Sequence, residues 1–242
     1  MKSREGTNDN GTEAFSRLEL LAVCGAVGLL ALIAFPALAG LTHDSERAVC
    51  ANNLRLIGRG IHVWSGDHEE RVPWRTRISA GGTQPEVGDS KPGHAWVEYY
   101  FLSNQLVTPK ILACPSDAGV LRAPDFSQFT KTAYREKAVS YTISLDFVPD
   151  DGLGWLSSDR NLRDTGAFSG CSARVVNVSG ILVNSIAGTS TAAWNPGIVH
   201  GEMGHLLLNN GTVMFIDSPT VRTIIAREGF DDNGAGHFLR AR

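Results

Sequence analysis

His200-Gly-Glu-Met-Gly-His205 places two histidines and a glutamate within six residues, the residue types from which metalloproteases build a zinc site. Such a site needs His and Glu adjacent and the second His four residues after the first, so that both rings share one helix face. Here the histidines are five apart and Gly201 and Gly204 interrupt them, so the stretch reads as a turn leading into a strand, with no metal ligands assigned. Asp146, Asp150 and Asp151, and separately Asp231-Asp232-Asn233-Gly234, carry the oxygen ligands that calcium takes, but without EF-hand spacing. Solvated turns are the favoured reading, with calcium left open as the alternative, and no other cofactor is expected. No Gly-x-Ser-x-Gly elbow marks a nucleophile, so no catalytic residue is assigned and the chain does not read as an enzyme. Cys24, Cys50, Cys114 and Cys171 lie far apart with no C-x-x-C pair, which excludes a zinc ribbon or a thioredoxin-type motif.

The elements that would position these groups begin with a long apolar run. From Leu20 to Leu41 there is no charge, and about residues 18–41 are expected to cross a bilayer core of roughly 30 Å as a helix. Residues 1–14 before it are polar and read as a leader. After it, Cys50, Leu54, Ile57, Ile61 and Trp64 recur at helical spacing, with Arg55 and Arg59 off that stripe. One helix over 15–64, roughly 75 Å long, is therefore expected, transmembrane first and amphipathic after. Gly58 and Gly60 each weaken it by roughly 1 kcal/mol relative to Ala, so its second half should depend on packing.

Beyond residue 64 short segments are broken by Gly, Pro, Asn and Asp. Segments 97–102 and 138–143 suit strands or short helices, while 173–178 and 180–183 read as strands. Leu206-Leu207-Leu208 and Val213-Met214-Phe215-Ile216 flank Asn209-Asn210-Gly211, a hairpin with Asn210-Gly211 at the turn. The fold class is α+β: a long N-terminal helix packed on the antiparallel sheet of a head at 65–242. With 22 basic and 25 acidic residues, a net charge of −3 and no basic run, nucleic acid is not an expected partner.

Residues 14–39, AFSRLELLAVCGAVGLLALIAFPALA, resemble the N-terminal segment of type IV pilins and type II secretion pseudopilins. The resemblance implies cleavage by a prepilin peptidase between Ala14 and Phe15, followed by methylation of the new amine. It assigns subunit assembly to Glu19, at the fifth mature position, and a helix bend to Pro36. Within the chain, only Arg17 or the Phe15 amine is expected to partner Glu19. Cys50 with the residues after it, the Ile111–Asp117 segment, and His200 followed by Asn210-Gly211 resemble large pilin-like proteins abundant in Planctomycetes and Verrucomicrobia. Their C-terminal signature is His, nine residues, Asp-Gly, and Asn210 stands here in the Asp position.

The resemblance implies a pilin-like subunit of a type II secretion or type IV pilus-like system. Its expected location is the inner membrane, single-pass, with the head outside the cytoplasm and other pilin-like subunits as partners. On that export, Cys50 and Cys114 are expected to form a disulfide. Two readings stay open beside it. One is an exported enzyme or binding protein cut after Ala39, where Ala37-Leu38-Ala39 satisfies an ordinary signal peptidase. The other is an anchored protein that never polymerises.

Overall fold

The structure, a computed structural model, describes residues 16–86, 94–145, 154–164, 180–184, 192–228 and 235–239, the side chains of 34–42, 164, 180–184, 226–228 and 235–237 excepted. The chain divides into two units, Met1–Asp44 and Ser45–Arg242. Helix α1 (Arg17–Gly66) runs through the boundary.

In the first unit, α1 starts on a reciprocal cap. Glu19 N–H donates to Ser16 Oγ at 3.2 Å and Ser16 N–H donates to Glu19 Oε2 at 2.9 Å, satisfying two amides that lack helical partners. These bonds from Ser16 hold the Glu19 carboxyl below its usual pKa. Beyond the cap, Leu18, Leu20, Leu21, Val23, Val27, Leu29, Leu30, Leu32 and Ile33 are all exposed.

The membrane expectation is corrected here. Among the described residues no helix is long and apolar enough to cross a membrane. The expected single-pass inner-membrane location falls with the span. So does the transmembrane first half of the expected fold, while the described residues are α+β with antiparallel sheets. Pro36 lies outside the described side chains, and Ala14 and Phe15 lie outside the described residues.

In the second unit, α1 buries Cys50, Leu54, Ile57, Ile61 and Trp64 and leaves Arg55 and Arg59 in solvent. Short helices wrap this stripe: α2 (Ala95–Phe101), α3 (Ser103–Leu106), a 3-10 turn at Pro109–Leu112 and α4 (Phe126–Phe129). Segment 97–102 is thus helical, because Tyr99 and Leu102 both turn inward onto α1. Eight strands follow: β1 (Ile143–Ser144), β2 (Trp155–Ser158), β3 (Leu162–Asp164), β4 (Gly180–Asn184), β5 (Ala192–Trp194), β6 (Met203–Leu208), β7 (Val213–Asp217) and β8 (Ala235–Leu239). Helix α5 (Ser218–Glu228) lies between β7 and β8. The sheets are ordered β1-β8-β4, β2-β6-β7 and β3-β5, antiparallel throughout.

Strand β6 links two cores through the two-residue alternation of a strand. Leu207 joins the cluster around α1, while Leu206 and Leu208 face a second cluster with Trp155, Trp194, Val221, Ile225 and Phe238. Gly58 explains how close α1 comes to this sheet, since a Cβ there would sit 3.0 Å from Leu207 Cδ2. The glycine that weakens the helix in isolation is what lets it pack.

The β6–β7 hairpin pairs Leu207 with Val213, leaving Asn209-Asn210-Gly211 as its loop. Gly211 N–H donates to Leu208 O at 3.0 Å and only Gly211 has positive φ, 80°. The turn is therefore a type I turn closed by a left-handed glycine, not one with positive φ at both Asn210 and Gly211. Thr212 N–H donates to Asn210 Oδ1, which fixes Asn210 as a turn former.

Candidate functional site

A buried polar cluster in the second unit forms where the end of β2, the loop before β6 and β6 itself meet. Asp159 follows β2 and is clamped to β6 by its backbone, with Asp159 N–H donating to His205 O at 3.0 Å. In return His205 N–H donates to Asp159 Oδ2 at 2.7 Å, and the His205 ring Nδ1 lies 2.9 Å from the same oxygen. An ionised carboxylate only accepts, so the hydrogen sits on that nitrogen. His200 Nε2 approaches Asp159 Oδ2 from the loop side at 3.7 Å, beyond hydrogen-bond reach. Asp159 is fully buried, and both imidazoles are 3% exposed.

Local sequence explains how the loop delivers His200. Asn161 Nδ2 donates to Gly201 O at 3.1 Å and to Met203 O at 3.0 Å, pinning the entry to β6. Val199 takes φ 56° and Gly201 φ 69°. A β-branched residue is rarely held left-handed, so the backbone just before His200 is strained into turning that side chain inward. Phe215, paired with His205 across β6 and β7, walls the cluster: its ring centroid is 4.7 Å from that of His205 and 5.6 Å from that of His200. The Arg47 guanidinium lies over the Phe215 ring, 5.3 Å from its centroid. Burial lowers the His200 pKa, while the Asp159 charge pulls it back up.

Cys50 and Cys114 are joined by a disulfide, with Cα atoms 5.0 Å apart, which ties α1 to the loop after Pro109–Leu112. Cys114 Sγ lies 3.4 Å from His200 Nε2. Beside it Tyr141 Oη donates to Cys50 O, and Asn53 Nδ2 donates to Ala113 O and Tyr141 Oη. Burial raises the Tyr141 pKa, and the charge of Asp159 adds to the effect. A second buried carboxylate, Asp117, is fully engaged: Arg160 donates to it through Nε at 2.6 Å and Nη2 at 2.7 Å, and Ser140 Oγ at 2.8 Å.

Of the residues singled out in the sequence, the structure brings together Cys50, Cys114 and His200, and adds His205. It keeps Asn210 and Gly211 at the far end of β6, in the turn, and Glu19 in the first unit. Asp146, Asp150, Asp151, Asp231 and Asp232 lie outside the described residues. Sequence reasoning missed Asp159, which no local spacing links to histidines more than forty residues away. It also missed the Ser16-Glu19 cap, whose S-x-x-E pattern before an apolar run was a readable signal.

No family model, curated protein or solved structure matches the chain.

Proposed function

We propose that this chain is a pilin-like structural subunit of a type II secretion or type IV pilus-like system, assembling through its N-terminal helix with copies of itself. The observation that carries the reading is the all-round exposure of apolar side chains from Leu18 to Ile33. At 100° per residue, the nine exposed Leu, Val and Ile side chains leave no arc wider than about 100° uncovered, and exposed Cys24 falls inside that arc. A two-helix contact would cover a single stripe, whereas a helix apolar on every face is buried only when neighbours surround it. Several parallel copies of this segment in one bundle supply such neighbours, and that is a filament core. In this reading Glu19 has two duties. It holds the helix start through Ser16, and it sets a carboxylate at the head of the bundle, where the Phe15 amine of a processed neighbour would meet it.

Cys24 supplies the test. In full-length protein carrying Cys171→Ser, a short bismaleimide should trap a covalent dimer through Cys24, and Leu29→Asp with Leu30→Asp should abolish it. A chain that stays monomeric across concentration, with Cys24 as freely alkylated as a small thiol, would refute assembly through this helix.

A further inference from the structure

We infer that Asp159, His200 and His205 form a binding site for one divalent transition-metal cation of the zinc type. The three residues arrive from separate segments, and their ligand atoms all lie within 4.8 Å of one another. Two imidazoles and a carboxylate are the donor set that zinc takes with bonds of about 2.0–2.2 Å, which in tetrahedral geometry spaces donor atoms about 3.3 Å apart. The separations from Asp159 Oδ2, 2.9 Å to His205 Nδ1 and 3.7 Å to His200 Nε2, lie on either side of that value. Sub-ångström shifts would seat a cation.

The independent sign of a missing ligand is the other carboxylate oxygen. Asp159 Oδ1 is fully buried and has no hydrogen-bond partner among the described residues. A buried carboxylate without a cation is among the costliest groups a core can hold, and unsatisfied polar atoms of this kind are uncommon in folded proteins. The neighbouring arginines do not serve it. Arg160 is spent on Asp117, and Arg47 stacks over Phe215. Among the described residues, the side chains that lie against the Asp159 carboxylate with a nitrogen ligand atom are those of His200 and His205. A divalent ion bound by all three would neutralise the carboxylate, displace the His205 Nδ1 proton and give His200 the contact that its 3.7 Å separation lacks.

The surroundings fit a preformed site. The amide exchange between Asp159 and His205 fixes two ligands before any metal arrives, and Phe215 excludes water from one side. His200, on its pinned turn, is the ligand through which the ion would enter. The protein supplies three donors, so a water completes the tetrahedron.

A rival set shares His200, because Cys50, Cys114 and His200 also cluster, but its sulfurs are bonded to each other. The experiment therefore uses the full-length chain with that disulfide intact. Stripped of metal and titrated with Co2+ under non-reducing conditions, it should bind one equivalent with the absorption bands of a tetrahedral nitrogen-oxygen site, and Zn2+ should displace the cobalt. His200→Gln, which leaves the β2–β6 clamp untouched, should weaken binding by more than about 100-fold, a ligand being worth more than its supporting hydrogen bonds. Asp159→Asn should do the same if its circular dichroism shows it folded. X-ray absorption of the zinc-loaded wild-type chain, which needs no variant to fold, should show a nitrogen-oxygen shell near 2.0–2.1 Å. Absence of stoichiometric binding, a sulfur shell, or binding that survives His200→Gln overturns the site.

Discussion

Replacing Cys50 and Cys114 together by Ala removes the disulfide that cross-links α1 to the rest of the second unit. The bridged positions are 64 residues apart, so in the chain-entropy model the cross-link removes about 4 kcal/mol of unfolded-state freedom at 25 °C. Both half-cystines are fully buried in the core that Leu54, Tyr141 and Leu112 share, so the vacated sulfurs leave a void and add to the loss. A loss of about 4–6 kcal/mol is a large share of the 5–15 kcal/mol that holds a domain folded. Equilibrium urea unfolding, followed by tryptophan fluorescence and carried out dilute enough to suppress association, measures it against the oxidised parent. The tryptophans are well placed as probes, since Trp64 and Trp74 belong to the α1 core and Trp155 and Trp194 to the second. Reducing the parent with the sequence unchanged isolates the cross-link from the void and should reproduce most of the loss. A difference below about 1 kcal/mol in both comparisons would refute the reasoning, because it would mean that the unfolded chain already holds these segments together.

Arg160→Ala should destabilise the second unit by about 3–5 kcal/mol in the same assay, because it strands the buried Asp117 carboxylate; Arg160→Lys should rescue little, since an ammonium cannot reproduce the two-pronged contact. Asp217, at the start of α5, has its pKa lowered by the Thr220 hydroxyl and then by the Thr220 N–H. The folded-state pKa lies below the unfolded one, so its contribution to stability is complete above the unfolded value near 4 and fades as pH falls through the folded value. A carboxyl titration by NMR should place Asp217 below an unstructured aspartate, and an unshifted value would refute the cap.

What could be read in the sequence is what nearest neighbours along the chain determine. The stripe Cys50, Leu54, Ile57, Ile61, Trp64 is a 3.6-residue pattern, and all five side chains are buried. The β6–β7 hairpin was equally local, yet its turn type was misjudged. Asn210 tolerates positive φ without requiring it, and the three-residue loop needs that conformation only at Gly211. The apolar run after Glu19 reads through its hydropathy as a membrane span, but among the described residues no helix is long and apolar enough to cross a membrane. Pairings such as β1 with β8 leave no trace in local sequence, because they are decided by which surfaces remain to be covered once the nearby ones are filled.

The two buried aspartates show why the candidate site escaped pattern reading and why it is more than core chemistry. Asp117 and Asp159 lie on either side of Ser140 and Tyr141: Ser140 bonds Asp117, and Tyr141 bridges to Asp159 through the backbone. Asp117 holds a guanidinium on both oxygens, together with a serine hydroxyl and the Gly119 amide. That is how a buried carboxylate is stabilised when its task is structural. Asp159, equally buried, has one oxygen crowded by His205 and the other bare. A fold able to supply Arg160 to one carboxylate sends two imidazoles to its neighbour, along with a backbone strained at Val199 to deliver the second of them. Such an arrangement leaves a charge to be balanced from outside the chain, and imidazole nitrogens are donors that bind a metal ion and not a sodium or an ammonium group. The asymmetry between the two carboxylates therefore separates a residue that holds the fold together from one that the fold holds ready.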